Sequence, residues 1–529
     1  MGTNEKIWTR EEVCARILAG ETLFIYHGKL IRVPPSWLAK HPGGRLAILH
    51  FVGRDATDEV NGFHPEASLK QLLRYSIGRV EVSPHGWEPL VPPVMTGWVR
   101  KKGETGEEGW VHEAEAWHVN PTDEHGPTPT SEILLVKKGT LDTGALGISK
   151  PTLSTITPPP TSLSPKVQHQ HVKAYRALHA EITKAGLYKT PYLTGYGPEV
   201  ARYTLLAIVS ILAYRHSWFL TSAFFLGCLF HQLVFTVHDL AHNGVTHVRV
   251  VDRTLSILIS DFIGGLSTSW WVDNHNVHHL VTNHPSHDPD IQHIPFFAIS
   301  PKFLSSLWSS YYKRIMAHDA FSRVFLSIQH KLFYVVMSLA RFNLYANSYI
   351  FLVKSGLEGR RTGFWWMEIV GIIFYWTWYT AVLRGCGDWK TGLGFLLISH
   401  IVPSPLHVQI VLSHFSRSTE DLGPTESFVA RQLRTTTDVI CPPHLAFLHG
   451  GLHLQVTHHL FPRLPRHNLA AASLLVKRFA AEQGLEYAEF GFTAGNREVL
   501  GVLADVASQV GVVGMVAKSE VDKAVRGEH

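Results

Sequence analysis

Hydrophobic and polar positions partition the chain into four stretches. Residues 5–80 mix the two types over short distances and carry two tight-turn signals, HPGG (41–44) and NGFHP (61–65), which predict a compact soluble domain. Residues 81–165 lose that texture. PTLSTITPPPTSLSP (151–165) holds five prolines, which excludes a continuous helix or a central strand, so 81–165 reads as a Pro/Thr/Ser-rich linker with local packing around its tryptophans. Residues 166–500 open with a helical approach (166–202) and then become membrane-like, and 501–529 reads as a C-terminal tail.

The apolar runs are long and numerous enough to favour spans over buried core helices. WFLTSAFFLGCLFHQLVFTV (218–237) is 20 residues, the length of helix that crosses a bilayer. TLLAIVSILAY (204–214), extended back to residue 200, would form a hairpin with it through Arg215-His216-Ser217. Further runs occupy 331–353, 364–383 and 392–412, the first of them interrupted by Arg341, Asn343 and Asn347.

Composition changes the picture at one residue type. The 34 histidines outnumber the 27 phenylalanines and more than double the 15 tryptophans, and histidine is both the commonest metal ligand and a switchable acid or base. A net charge of +5 without a long Lys/Arg block gives no reason to expect a nucleic-acid partner. Four cysteines (Cys14, Cys228, Cys386, Cys441) at no paired or metal-ligand spacing argue for a reducing compartment. The N-terminus has no apolar signal core, and Lys6 breaks the myristoylation pattern, so internal spans would hold the chain in a membrane.

The histidines cluster with helical spacing. His238 and His242 in HDLAH lie four apart, directly after an apolar run, and share one helix face. His275, His278 and His279 in WWVDNHNVHH have the spacing i, i+3, i+4, and QVTHH repeats it with Gln455, His458 and His459. Seven imidazoles exceed the three or four ligands of one zinc. They suit two ions with open positions, and imidazole suits iron, copper, nickel and zinc. If the clusters converge on one side of a membrane, an even number of spans separates the second from the third. The broken run 331–353 is then interfacial, since mid-bilayer charge is costly, and four spans result. A separate pair, His41 and His64, stands 23 residues apart on turn loops where Gly43 and Gly44 permit a tight backbone beside a planar ligand. Two such histidines can fill both axial positions of a haem iron and leave it to electron transfer. An attached electron-transfer haem favours iron as the metal of the clusters.

HPGGRLAILHFVGRDATDEVNGFHPEAS resembles cytochrome b5, with His41 and His64 on the two axial positions. HDLAH, HNVHH and QVTHH resemble the three boxes of membrane fatty-acyl and sphingolipid desaturases. The third-box glutamine behind an N-terminal b5 domain resembles the front-end group. STEDLGPTESFVARQLRTTTDV and GGLHLQVTHHLFPRLPRHNL look most like fungal delta-8 sphingolipid desaturases. The resemblance implies an α+β haem domain followed by an all-α membrane domain with about four transmembrane helices plus interfacial ones. It implies heme b at His41 and His64, and two iron ions at His238, His242, His275, His278, His279, His458 and His459. Gln455 binds weakly, through water, or not at all, and an eighth histidine is expected, His414 or alternatively His407. His247, His284, His287 and His293 are left as outer or surface residues. Asp239 and Asn276 either orient ligand rings or make local helix contacts. Trp365, Trp366, Trp376 and Trp378 line a substrate tunnel or form an interfacial aromatic belt.

The implied reaction uses O2 and electrons from an NADH-cytochrome b5 reductase or similar donor, passed through the haem, to place a double bond at carbon 8 of the long-chain base of a sphingolipid such as ceramide. The implied location is the endoplasmic reticulum membrane, with haem domain and boxes facing the cytosol. A front-end fatty-acyl desaturase of delta-5 or delta-6 type and a b5-fused lipid hydroxylase remain as alternatives. A histidine-rich metal transporter would place its ligands near mid-membrane and has no use for a haem.

Overall fold

The computed structural model describes residues 5–102, 108–113 and 150–526. Four strands, β1 (Ile7–Trp8), β2 (Thr22–Tyr26), β3 (Lys29–Val33) and β4 (Ser76–Val80), form one sheet in the order β1-β4-β3-β2. β2 and β3 pair antiparallel from Thr22 opposite Val33 to Tyr26 opposite Lys29, and β1 closes the other edge parallel to β4. The alternation in TLFIY sends Leu23 and Ile25 into one core and Phe24 and Tyr26 into a second, so the sheet is covered on both faces. Short helices at Pro35–Leu38, Leu46–Leu49, Thr57–Phe63 and Glu66–Leu72 cover the Phe24 face and carry His41 and His64 between them.

The stretch after residue 80 is not a free spacer where it is described. Trp87 Nε1 donates to Gly53 O (2.9 Å), Trp110 Nε1 donates to Leu18 O (2.9 Å), and Leu90 and Ile156 are buried in the haem-domain core. Trp98–Lys102 and Glu108–His112 form an antiparallel hairpin against the same domain. The proline-rich segment does hold one helical turn, Leu153–Ile156, in its proline-free LSTI. The remainder of the expected linker, 103–107 and 114–149, lies outside the described residues.

Three helices among the described residues are long and apolar enough to cross a membrane: Phe219–Ala241, Gly363–Arg384 and Trp389–Phe415. The fourth expected span, Gly197–Arg215, forms the predicted hairpin with Phe219–Ala241 but stays below that apolarity. It holds Glu199 and Arg202 near its start, and Arg202 donates to Gln232 Oε1 (2.9 Å). The run 331–353 is divided between two helices, Gln329–Ser338 and Ala340–Leu357, neither of which qualifies. Arg341 is buried there and donates to Gly264 O (2.8 Å) and Tyr345 OH (3.0 Å). Prolines 403 and 405 interrupt the last span between Ile401 and Ser404.

The expected tail is in part core. Residues 501–526 continue the helix Phe492–Arg526, and Val499, Leu503, Val506 and Val510 form a buried stripe against Phe333, Leu412 and Phe415. Their spacing of three and four residues is the helical period. The approach helix Pro165–Lys184 packs on Leu469–Gln483 and ties two parts of the chain together. Tyr175 OH donates to Leu460 O (2.7 Å), and Arg176 pairs with Asp58 of the haem domain at 2.6 Å.

Candidate metal centre

Each histidine cluster ends up at or near the C-terminal end of an anchored helix. His238 lies in the last turn of Phe219–Ala241 and His242 is its C-cap, with their ring centroids 4.7 Å apart. Helix Thr268–Leu280 begins at Ser267, whose hydroxyl accepts from Trp270 N (3.0 Å) and donates to Glu368 of the second span (2.6 Å). That pair joins a span to the helix of the second cluster. Helix Gln455–Leu460 is held at its start by Asp438, which accepts from Val456 N (2.8 Å), a carboxyl at a helix N-terminus. His414 arrives on the last turn of Ser404–Phe415.

The clusters converge. His238, His242, His275 and His458 bring one ligand atom each to within 4.8 Å of one another, and His278, His414 and His459 form a second such group. His279 lies between them. Its Nε2 is 3.0 Å from His275 Nε2 and 3.1 Å from His458 Nε2, and its ring stacks on His459 at 4.1 Å. Eight imidazoles thus form two adjoining groups, all buried except the half-buried His275.

The tautomers decide what such a group can bind. His278 Nδ1 faces the Asp288 carboxylate at 2.9 Å, His459 Nδ1 faces Gln432 Oε1 at 2.9 Å, and His414 Nδ1 faces Thr435 O at 3.3 Å. Each acceptor draws the proton to Nδ1 and leaves a lone pair on Nε2. His278 Nε2 and His414 Nε2 nevertheless face each other at 3.3 Å, and His459 Nε2 is buried without a partner. Lone pairs opposed at this distance need a cation or a proton between them. Burial pulls the His278 ring down, but the Asp288 and Asp290 carboxylates outweigh it and raise the ring above its ordinary value. Burial pushes His275 down to about 4 and keeps that imidazole neutral, as a ligand must be. The donor set is all imidazole, which fits iron among other transition metals.

The haem pair is built differently. His41 Nδ1 donates to Gly44 O and His64 Nδ1 to Val60 O, both at 2.9 Å, so each Nε2 keeps its lone pair. The rings stand 6.0 Å apart between centroids, a separation that two metal–imidazole bonds of about 2.0–2.1 Å each can bridge. Burial pushes His64 down to about 4.

Other expected residues fall as follows. Gln455 is buried at the head of its helix. His407, two turns before His414, joins neither group among the described residues, which favours His414 as the eighth ring. Asp239 does not orient His238. It stands 3.6 Å from that ring's Nδ1, beyond hydrogen-bond reach, and takes Tyr196 OH (2.6 Å) and Arg466 Nη1 (2.9 Å) instead. Asn276 turns toward the haem loop, its Nδ2 3.1 Å from where a Cβ on Gly43 would sit. His247, His284, His287 and His293 bond to Asn243 O, Asp421, Ser310 and Asp290 O respectively. Trp365, Trp376 and Trp378 donate to Leu352 O, Tyr349 OH and Phe262 O and so brace helices, while Trp366 faces outward. Asp288, Asp290 and Gln432 escaped sequence reasoning. The signal for the first two was present in SHDPDIQH, two acids flanking a proline about ten residues after the second box.

Residues 215–491 match the fatty acid desaturase family, and residues 9–81 match the cytochrome b5-like heme/steroid binding domain. The chain belongs to the fatty acid desaturase family. It is 40% identical to a delta 8-(E)-sphingolipid desaturase of Emericella nidulans over all of this chain and 99% of that protein. A protein of the same name from Candida albicans is 35% identical over 96% of this chain and 97% of its own length. A delta(8)-fatty-acid desaturase 2 of Arabidopsis thaliana is 28% identical over 96% and 94%. The chain is therefore a membrane desaturase with a fused b5-type domain.

Proposed function

We propose that this enzyme uses O2 to introduce a double bond, of E geometry, at carbon 8 of the long-chain base of a sphingolipid such as ceramide. The observation behind the chemistry is the double group of eight converging imidazoles with lone pairs aimed inward. Two iron ions bound there would supply the oxygen activation that unactivated C–H bonds require. His238, His242, His275 and His458 would serve one ion, and His278, His414 and His459 the other, with His279 at the junction. Gln455 stays outside the ligand set or reaches it through water. Asp288 and Gln432 hold the rings of His278 and His459 in the ligating tautomer.

His41 and His64 would hold heme b and receive electrons from an NADH-cytochrome b5 reductase or similar donor. The haem domain and every box lie at the same end of the span hairpins, opposite the turns at 216–218 and 385–388. That common end is read as cytosolic, in the endoplasmic reticulum membrane. The choice of substrate rests on the full-length similarity to the fungal sphingolipid enzymes. Expression in a host that makes only saturated long-chain bases tests it: an unsaturated base with the bond at carbon 8 is expected. Conversion of fatty acyl chains with bases untouched would instead support the front-end fatty-acyl reading, and a hydroxylated product the hydroxylase reading.

A further inference from the structure

The haem domain is seated on the helix that carries the second histidine cluster. Gly44 has φ +87°, and a Cβ there would collide with the carboxyl of Asp273. Gly43 meets Asn276 on the next turn of the same helix face. Only bare backbone fits this close. Leu280, the last residue of the helix, is buried in the haem-domain core beside Phe51 and Phe63. At the centre of the seam the Phe63 ring meets His279 edge to face, with centroids 5.8 Å apart and planes at 84°. Phe63 is the covalent neighbour of His64, and His279 lies against rings of both metal-ligand groups.

We propose that Phe63 is the bridge by which electrons leave the haem domain, along the path His64–Phe63–His279. Electrons tunnel more readily through bonded and packed atoms than across gaps or water, and on this seam the path has one non-bonded step before the histidine group. The inference rests on the reading of His64 and His279 as ligands. With haem held by His41 and His64 and iron held by the histidine group, each passage would take one electron from ferrous haem to one ferric ion, with no atom moved. Two passages, with two protons, complete the reduction of O2 to two waters as the substrate gives up two hydrogens. Phe63 is a positioning residue: it binds neither metal nor substrate, and its role is to fill the step between two rings that do.

The test uses the full-length holoenzyme in lipid nanodiscs, its haem reduced anaerobically with dithionite and then mixed with O2 and a saturated ceramide. Haem reoxidation is followed by stopped-flow absorbance. Phe63→Leu should slow that phase several-fold while haem absorption, haem midpoint potential and iron content stay at wild-type values, and Phe63→Trp should restore the rate. A Phe63→Leu rate equal to wild type, or a Trp variant as slow as Leu, overturns the bridge. If Phe63→Leu loses its haem, Asn276→Trp wedges the same seam from the other side with every haem-domain residue intact. It should slow transfer likewise, and an unchanged rate again overturns the proposal. Wild-type protein without iron, or a His459→Ala protein that reoxidises as fast as wild type, would defeat the metal reading itself, whatever Phe63 does.

Discussion

The two histidine sites differ in how their rings are held. In the haem pair both Nδ1 atoms donate to backbone carbonyls, Gly44 O and Val60 O, within four residues of the ring they orient. In the box group the orienting partners are side chains and distant backbone: Asp288 for His278, Gln432 for His459, Thr435 O for His414. A site with local backbone partners needs its own small domain folded and little else. A site whose rings come from four chain segments and whose partners come from two more exists only when spans, short helices and ion pairs are all in place. The haem site should therefore tolerate side-chain substitutions that the metal site does not.

The largest effect expected is a clean separation of the two sites. His278→Ala should abolish desaturation and lower iron content while the haem absorption stays intact. His41→Ala should lose the low-spin haem spectrum and the reductase-dependent desaturation while iron is retained. Iron analysis, absorbance and lipid mass spectrometry of the same preparations check both halves.

The next effect is on stability. Arg466, two segments away from the first box in sequence, pairs with Asp239 at 2.9 Å and with Glu199, all of them largely buried. Arg466→Ala removes the cation between two buried carboxylates, leaving Asp239 with Tyr196 OH and Glu199 with Tyr203 OH and His467, and should cost about 3–5 kcal/mol in the membrane domain. Thermal unfolding followed by tryptophan fluorescence should show a lowered midpoint there, with the haem transition unmoved. A common shift of both transitions would show that the two sites share one cooperative unit.

A smaller loss is expected from Asp288→Asn. Asp288 also accepts from Asn283 N (2.7 Å) and Asp290 N (2.9 Å), and an amide keeps part of that loop but removes the charge behind His278. Removing such a partner typically weakens metal binding or activity about 10–100-fold, so iron occupancy in competition with a chelator should fall by that order. No side-chain change has an equivalent at the haem pair, whose partners are carbonyls.

The smallest effect is on pH and sits at the seam. His50 is fully buried against the desaturase domain, its ring 5.4 Å from His287, and both of its nitrogens lack a partner. Burial first, and after it the nearby His284, Lys313, Arg54 and Arg431 side chains, push it from 6.5 down to about 3. In the undocked domain the ring takes a proton near 6.5, but in the docked one only near 3. Docking is thus at full strength above the upper value and weakens as pH falls through that window. Amide exchange in 273–280 should rise on mild acidification, and His50→Gln, which cannot protonate, should remove the rise.

Much of this arrangement was readable from the chain. Helical spacing alone put His275, His278 and His279 on one face, and the turn residues around His41 and His64 set that pair apart. The position of His414 at a span end also brings its ring to His278 and His459, a group that His407 does not join among the described residues. What local pattern did not reveal has a physical cause. Asp239 stands beside His238 in sequence yet serves Arg466, because a buried carboxylate takes the strongest donor in reach rather than the nearest in sequence. The helix Gly197–Arg215 has the length of a span, but charged residues near its start are paired within the protein, which apolarity alone does not reveal.

The sequence by itself determined the number of histidine clusters, the imidazole chemistry they concentrate and the order of soluble and apolar segments, because those follow from residue chemistry and from periods of a few residues. Tertiary structure alone decided which ring joins which group, which acceptor sets each tautomer, and that Phe63 rather than another aromatic meets His279. Those outcomes depend on the angles and offsets at which distant helices pack. A shift of an ångström changes the partner without changing any local pattern.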